Sequence, residues 1–267
     1  MLYPKKLIIT ATLAKSYIYP DVNNWPHNPN EMVEDVVKCY EAGASVVHLH
    51  LPSGEESEIV NRIRERCDII IQAGFSARSI QDRESSFKAR PEMMSIALNH
   101  HALSFPSKTL NVLHPLEELE EYCKKLEDLG IKPAWEVWGT GSFWNLNYLC
   151  DKSLLDWATP HILTLFFNLP GGTWSPPNYD EYMHRKNYMR EDCIHSVSVM
   201  GDEQMKLLVF VLTHAGNIRV GTEDYPFLKK GKPAIDNAEL VKNYVSISKH
   251  VGREVADPSE ARKILGL

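Results

Sequence analysis

Eight short apolar runs alternate with amphipathic helical stretches along 267 residues, with no linker or shift in composition between them. This predicts a single-domain (β/α)8 TIM barrel over residues 1–267. The length fits, because such a barrel uses about 250 residues. The composition fits too: 43% of residues are apolar, ordinary for a globular chain able to bury a full core. Strands separated by helices imply parallel pairing through right-handed crossovers. A closed barrel is the natural arrangement, although an open doubly wound sheet fits the same alternation.

Residues 7–12 (Leu7-Ile8-Ile9-Thr10-Ala11-Thr12) read as the first strand, and a polar, Pro/Asn-rich loop follows over residues 14–27. Asn28-Pro29-Asn30-Glu31 then supplies a helix N-cap, a proline at the first helical position and a glutamate at the third. Met32, Val33, Val36, Val37 and Tyr40 continue at helical spacing until Gly43. Residues 44–51 form the second strand, 59–66 a helix and 68–72 the third strand. The pattern is weakest over residues 93–111, where a short fourth strand is placed near 94–96. A Glu- and Leu-rich helix over 115–129 ends at Gly130, and 132–137 is the fifth strand. A short helix at 154–158, a sixth strand at 162–167, a loop at Pro170-Gly171-Gly172 and a helix over 179–189 follow. Residues 194–199 alternate as the seventh strand, Asp202 reads as the cap of a helix that Gly216 ends, and 218–221 is the eighth strand. Two helices close the chain, at 237–251 and at 258–265, the second capped by Asp257.

Composition excludes several classes of function. A net charge of −6, from 29 basic and 35 acidic residues, argues against nucleic acid as the main partner. No run of about 18 apolar residues is present, so no membrane span is expected. The start, Met1-Leu2-Tyr3-Pro4-Lys5-Lys6, lacks the apolar stretch and cleavage site of a signal peptide. Cys39, Cys67, Cys123, Cys150 and Cys193 are scattered without a CxxC pair, as expected of free thiols in a reducing cytoplasm.

Two segments stand out chemically. In Val46-Val47-His48-Leu49-His50-Leu51 the histidines are two apart, so on a strand both side chains share one face and the aliphatic ones take the other. In a barrel they would face the interior at the C-terminal strand end, where barrel enzymes place their sites, and two neutral imidazoles suit zinc. The same pattern also fits two polar residues on a half-exposed strand. In Arg219-Val220-Gly221-Thr222-Glu223-Asp224 a strand ends in adjacent carboxylates, so one can ligate a metal while the other acts as a base. A charged surface turn is the plainer alternative. Glu136, at the end of an otherwise apolar strand, needs a partner if buried, and Arg219 is the candidate. Gly171 and Gly172 offer bare backbone N–H groups to an anion, or simply make a turn.

Together these stretches resemble the β-keto acid cleavage enzymes, whose best-known activity is 3-keto-5-aminohexanoate cleavage. The matching pieces run in family order: Ile8-Ile9-Thr10-Ala11, Glu41-Ala42-Gly43-Ala44 through His48-Leu49-His50, Pro91-Glu92-Met93, Glu136-Val137, Leu169-Pro170-Gly171-Gly172, Arg219 to Asp224, Asn237-Ala238-Glu239-Leu240-Val241, and Ala261-Arg262-Lys263-Ile264-Leu265. The resemblance implies a (β/α)8 barrel in a homotetramer and a divalent metal, normally zinc, on His48, His50 and Glu223. It makes Asp224 the general base, supported by Arg219 and Glu136. The implied reaction joins a β-keto acid with acetyl-CoA and yields acetoacetate and a new acyl-CoA. The chain departs from the family pattern at Gly74-Phe75-Ser76-Ala77, where the role of a substrate-contacting serine is unfilled or moves to Ser76, at Leu51-Pro52-Ser53, and at Val199-Met200-Gly201-Asp202. Those changes keep two other readings open: a zinc-dependent aldolase or hydrolase that works without CoA, and a non-catalytic metal-binding protein. The loop after the first strand, residues 13–19, carries Lys15, Tyr17 and Tyr19 but no acid. It therefore suits a substrate with a neutral apolar tail, or one with a second anion facing Lys15, better than an amine.

Overall fold

The computed structural model describes residues 6–106 and 108–267; the first five residues, expected to carry no leader, lie outside the described residues. The chain runs β1 (Ile9–Thr12), α1 (Pro29–Ala42), β2 (Val46–Leu49), α2 (Glu56–Arg66), β3 (Ile70–Ala73), α3 (Glu84–Lys88), β4 (Met93–Ala97), β5 (His101–Ser104), β6 (Thr109–Val112), α4 (Leu116–Leu129) and β7 (Lys132–Val137). It continues with α5 (Gly141–Asp151), β8 (His161–Phe167), α6 (Tyr179–Lys186), β9 (Cys193–Val199), α7 (Gln204–Thr213), β10 (Asn217–Val220), β11 (Phe227–Lys229), β12 (Lys232–Pro233), α8 (Asn237–His250) and α9 (Pro258–Leu265). Strands β1, β2, β3, β4, β7, β8, β9 and β10 pair in parallel, in that order, and β10 closes on β1. The closed (β/α)8 barrel that the alternation predicts is thus the observed fold, and the open sheet is excluded.

Strand alternation sorts the core into two layers. Ile9, Val47, Ile71, Ile96, Trp135, Leu163, Val197 and Ile218 face outward and join the helices in one large apolar cluster. Ile8, Val46, Ile70, Met93, Ala134, Ile162 and Ile194 face inward at the N-terminal end, where Ala261 and Leu265 of α9 pack against them. The floor of the barrel is therefore dry and plugged, which leaves the C-terminal strand ends for polar side chains. The plug is held by a complete capping box, in which Asp257 and Glu260 satisfy one another's backbone N–H groups.

Several elements differ from expectation. The weak segment after β4 is an antiparallel hairpin, β5–β6, which stands outside the barrel and pairs Leu103 with Leu110. Helix α5 was not anticipated, because Gly141, Asn145 and Asn147 lower its intrinsic propensity; burial of Phe143, Leu146 and Leu149 on one face holds it. The short helix expected at 154–158 is only a 3-10 turn, Asp156–Ala158. Strand β2 is shorter than expected, so His50 stands just beyond it. Asp202 does not cap α7. Its carboxylate instead meets Lys230 at 2.6 Å and accepts from the Tyr225 hydroxyl at 2.9 Å, while Glu203 occupies the cap position.

Candidate active site

The barrel register brings four strand ends together. His48 lies beside Thr12 of β1 on one side and Gln72 of β3 on the other. Gln72 Oε1 and His48 Nδ1 are 2.7 Å apart, so the amide oxygen holds the proton on Nδ1 and leaves Nε2 bare toward the barrel axis. There His48 Nε2 is 3.7 Å and His50 Nε2 3.2 Å from the two oxygens of Glu223. One donor atom from each of the three lies within 4.8 Å of the others, and this is the only such His/Cys/Asp/Glu cluster among the described residues. Burial, reinforced by the Arg219 charge, keeps the His48 pKa well below the usual imidazole range, so it stands neutral as a ligand requires. For Glu223 burial pushes the pKa upward, but Arg219 and the two histidines outweigh it and hold the carboxyl ionised. Two imidazoles and a carboxylate, one imidazole oriented from behind, form a donor set that fits a divalent ion such as zinc.

Glycine at position 74 makes room for this cluster. A Cβ there would lie 2.5 Å from His50 Cδ2 and 2.7 Å from His48 Nε2. No serine can stand at 74 without displacing both rings. Phe75 follows with a positive φ of 64°, strained for an aromatic residue, and its ring stacks on His50 at 4.2 Å.

Behind the ligands lies a buried ion pair. Arg219 donates from Nε and Nη2 to both oxygens of Asp224, at 3.0 and 2.9 Å, and from Nη2 to Glu223 at 2.9 Å. Ser198 donates to Asp224 at 2.7 Å. Asp224 is fully buried, and burial together with the neighbouring Glu223 charge raises its pKa against the pull of Arg219. Glu136 is placed differently from the sequence expectation. Its direct partners are the Ser76 hydroxyl at 2.6 Å and the Trp138 indole N–H at 3.2 Å, while Arg219 is committed to the other two acids.

A cavity of ≈ 120 Å³ opens on this cluster. Its polar wall is His48, His50, Ser76, Glu136, Arg219 and Glu223. Its other wall carries Tyr17 and Ile18 from the loop after β1, Leu103, Phe105 and Leu110 from the hairpin, and Trp138, Phe166, Leu169 and Met200 from the strand ends. Trp138 stacks on Phe166 at 4.1 Å and on His101 at 5.4 Å. Asp224 does not line the cavity; Arg219 stands between it and the open space. Lys15 is exposed and off the wall. Gly171 and Gly172 are off it as well: Gly171 bridges Leu103, so the bare backbone there admits the hairpin. Thr12, Gln72, Ser198 and His101 escaped the sequence reading. The first three depend on strand register, and His101 on a hairpin whose apolar pattern is faint.

The family model for the beta-keto acid cleavage enzyme matches residues 6–267. A 3-keto-5-aminohexanoate cleavage enzyme of Acetoanaerobium sticklandii is 30% identical, covering 98% of this chain and 99% of that protein. A 3-oxoadipate:acetyl-CoA acetyltransferase of Cupriavidus necator is 26% identical, covering 97% and 93%. Among solved structures, the apo form of ObcA superposes with a TM-score of 0.75 at 17% identity, covering 91% of this chain, which spans 66% of ObcA; that likeness speaks to the fold alone. With a match along essentially its whole described length and a relative at 30% identity, the chain belongs to the beta-keto acid cleavage enzyme family.

Proposed function

We propose that this protein is a zinc-dependent transferase that condenses a β-keto acid with acetyl-CoA to give acetoacetate and a new acyl-CoA. The observation that carries the reading is the His48–His50–Glu223 donor cluster set against the buried Arg219–Asp224 pair at one cavity wall, in a member of this family. A divalent ion held by His48, His50 and Glu223 would supply Lewis acidity toward the ketone and carboxylate oxygens of the substrate. The chain's own residues do the rest. Asp224 is the base: its own carboxylate takes the proton from the carbon between ketone and carboxylate, and Arg219, which meets the cavity and stays a cation throughout, turns aside to admit it. The carbanion attacks the thioester carbonyl of acetyl-CoA and CoA leaves as thiolate. The thiolate attacks the original ketone, the carbon–carbon bond breaks, and acetoacetate takes the electron pair and a proton as the acyl-CoA departs. Ser76 and Trp138 fix Glu136 on the polar wall, where it supports Arg219 by charge without touching it. The protein supplies no nucleophile of its own, in keeping with a cavity lining that contains no cysteine.

The same reading places the protein in the reducing cytoplasm as a homotetramer. Its support is the free thiols, the absence of any helix among the described residues long and apolar enough to cross a membrane, and the family. The test is an assay of the zinc-loaded protein over a β-keto acid panel, with and without acetyl-CoA. Acetoacetate that appears only with acetyl-CoA, matched by a new acyl-CoA, is the expected result. Cleavage at equal rate without acetyl-CoA would move the protein to the aldolase or hydrolase class.

A further inference from the structure

The apolar wall of the cavity is continuous. Leu103, Trp138, Phe166, Leu169 and Met200 form one buried cluster, and Ile18, Phe105 and Leu110 pack against it from the loops. The polar side chains that reach this wall are Glu136 and His101, which both meet Trp138. The cavity has two carboxylates. Glu223 is in the ligand cluster, and Glu136 is held at the polar boundary by Ser76 and Trp138. The nearby cations are turned to other work: Lys108 lies over the Tyr17 ring at 4.6 Å and Arg78 over the Phe75 ring at 3.7 Å, and neither lines the cavity. Lys15, which left room for a second anion on the substrate, is off the wall too.

We propose that the hairpin-covered wall selects a β-keto acid with a short, uncharged apolar tail, and that Leu103, Phe105 and Leu110 are its specificity-determining residues. The inference rests on the reaction proposed above for the substrate's keto-acid end. A charged tail entering this wall gives up its hydration, and the one carboxylate at its edge, Glu136, already accepts from Ser76 and Trp138, whereas an alkyl tail gains by leaving water. The cavity, ≈ 120 Å³, is on the scale of one that accepts a benzene-sized ligand, about 150 Å³. Leu110 is half-buried on the outer strand of the hairpin, directly across from Leu103, so an acid placed there would face a tail without entering the barrel core.

Three acids of similar length separate the cases: 3-oxohexanoate with a neutral tail, 3-keto-5-aminohexanoate with a cationic one, and 3-oxoadipate with an anionic one. The zinc-loaded protein is assayed with each in the presence of acetyl-CoA, and binding of each is measured separately by quenching of tryptophan fluorescence, since Trp138 lines the cavity. The expected result is at least tenfold higher kcat/KM and tighter binding for 3-oxohexanoate than for either charged acid. Leu110→Glu should narrow or reverse the preference over the amino compound by tenfold or more, with 3-oxoadipate still disfavoured. Turnover that favours either charged acid overturns the tail assignment and leaves the reaction standing. Selective binding of 3-oxohexanoate without acetoacetate formation overturns the reaction and keeps the tail assignment. Equal binding of all three, or none, overturns the tail assignment.

Discussion

His48 and His50 were legible in the sequence because strand alternation alone puts two residues at i and i+2 on one face. The strand end before Glu223 and Asp224 marked them as a pair, and only the family resemblance chose Glu223 as the ligand. The residues that orient them were not legible: Thr12 and Gln72 flank His48 only through the pairing of β1 and β3 with β2, and one strand does not name its neighbours. The metal assignment predicts that His48→Ala and Glu223→Ala each lose the bound ion, read by elemental analysis of the purified variants; a full equivalent of zinc in either would remove that residue from the site. Asp224→Asn is a sharper change. It is nearly isosteric, keeps the acceptor for Ser198, and leaves Arg219 its contact with Glu223. It should retain zinc and the fold but lose about 10²-fold or more in kcat, as for a removed general base. Wild-type turnover in that variant would show that the proton goes elsewhere, and Glu136 on the cavity wall would be the next carboxylate to test.

At the level of elements, the barrel strands were readable because buried parallel strands are short, nearly unbroken apolar runs. The hairpin β5–β6 was not, because β5 has only Ala102 and Leu103 as apolar residues, exposed Thr109 and Asn111 interrupt those of β6, and no barrel strand pairs with it. Helix α5 was hidden for the opposite reason: its local propensity is poor and packing alone secures it. The turn after β3 couples element geometry to the metal cluster, since the chain passes the two imidazoles at the one place where it has no side chain. Gly74→Ala should therefore displace the His48 and His50 rings and weaken zinc binding by about 10- to 100-fold, the range seen when metal-ligand orientation is lost. Competition with a chromogenic chelator measures it directly. Unchanged affinity would mean that the rings relax without cost and that the glycine is incidental.

Across the whole molecule, the loop bearing Glu223 and Asp224 is tied to the outer helices. Thr222 donates its backbone N–H to Asn237 Oδ1 at 2.8 Å, and Asn237, the first residue of α8, donates in turn to Asp35 of α1 at 2.7 Å. Burial pushes the Asp35 pKa up to about 6, against the bond from Asn237, and its other oxygen has no partner among the described residues. With an unfolded-state value of about 3.9, the folded protein binds this proton first, so the contribution favours folding below about pH 4 and is lost as pH rises through 6. Above pH 6 the buried charge costs roughly 2–3 kcal/mol. Asp35→Asn should keep the link to Asn237 and gain stability over the parent by up to that amount at pH 7.5, with the gain vanishing near pH 4. Urea melts of both proteins across that interval decide it, and a difference independent of pH would count against a buried charge. The hairpin stands in contrast to this tightly tied loop. It carries its own ladder of four residue pairs, meets the loop after β8 at the Leu103–Gly171 bridge, packs on the barrel's upper rim through His101 and Leu103, and leaves the β4–β7 pairing intact beneath it. On the tail assignment proposed above, drift within the two hairpin strands would change what the enzyme accepts while leaving the His48–His50–Glu223 cluster and the Arg219–Asp224 pair in place. Diet and chemistry would then be inherited on largely separate segments of one chain, and a lineage could trade the first while keeping the second.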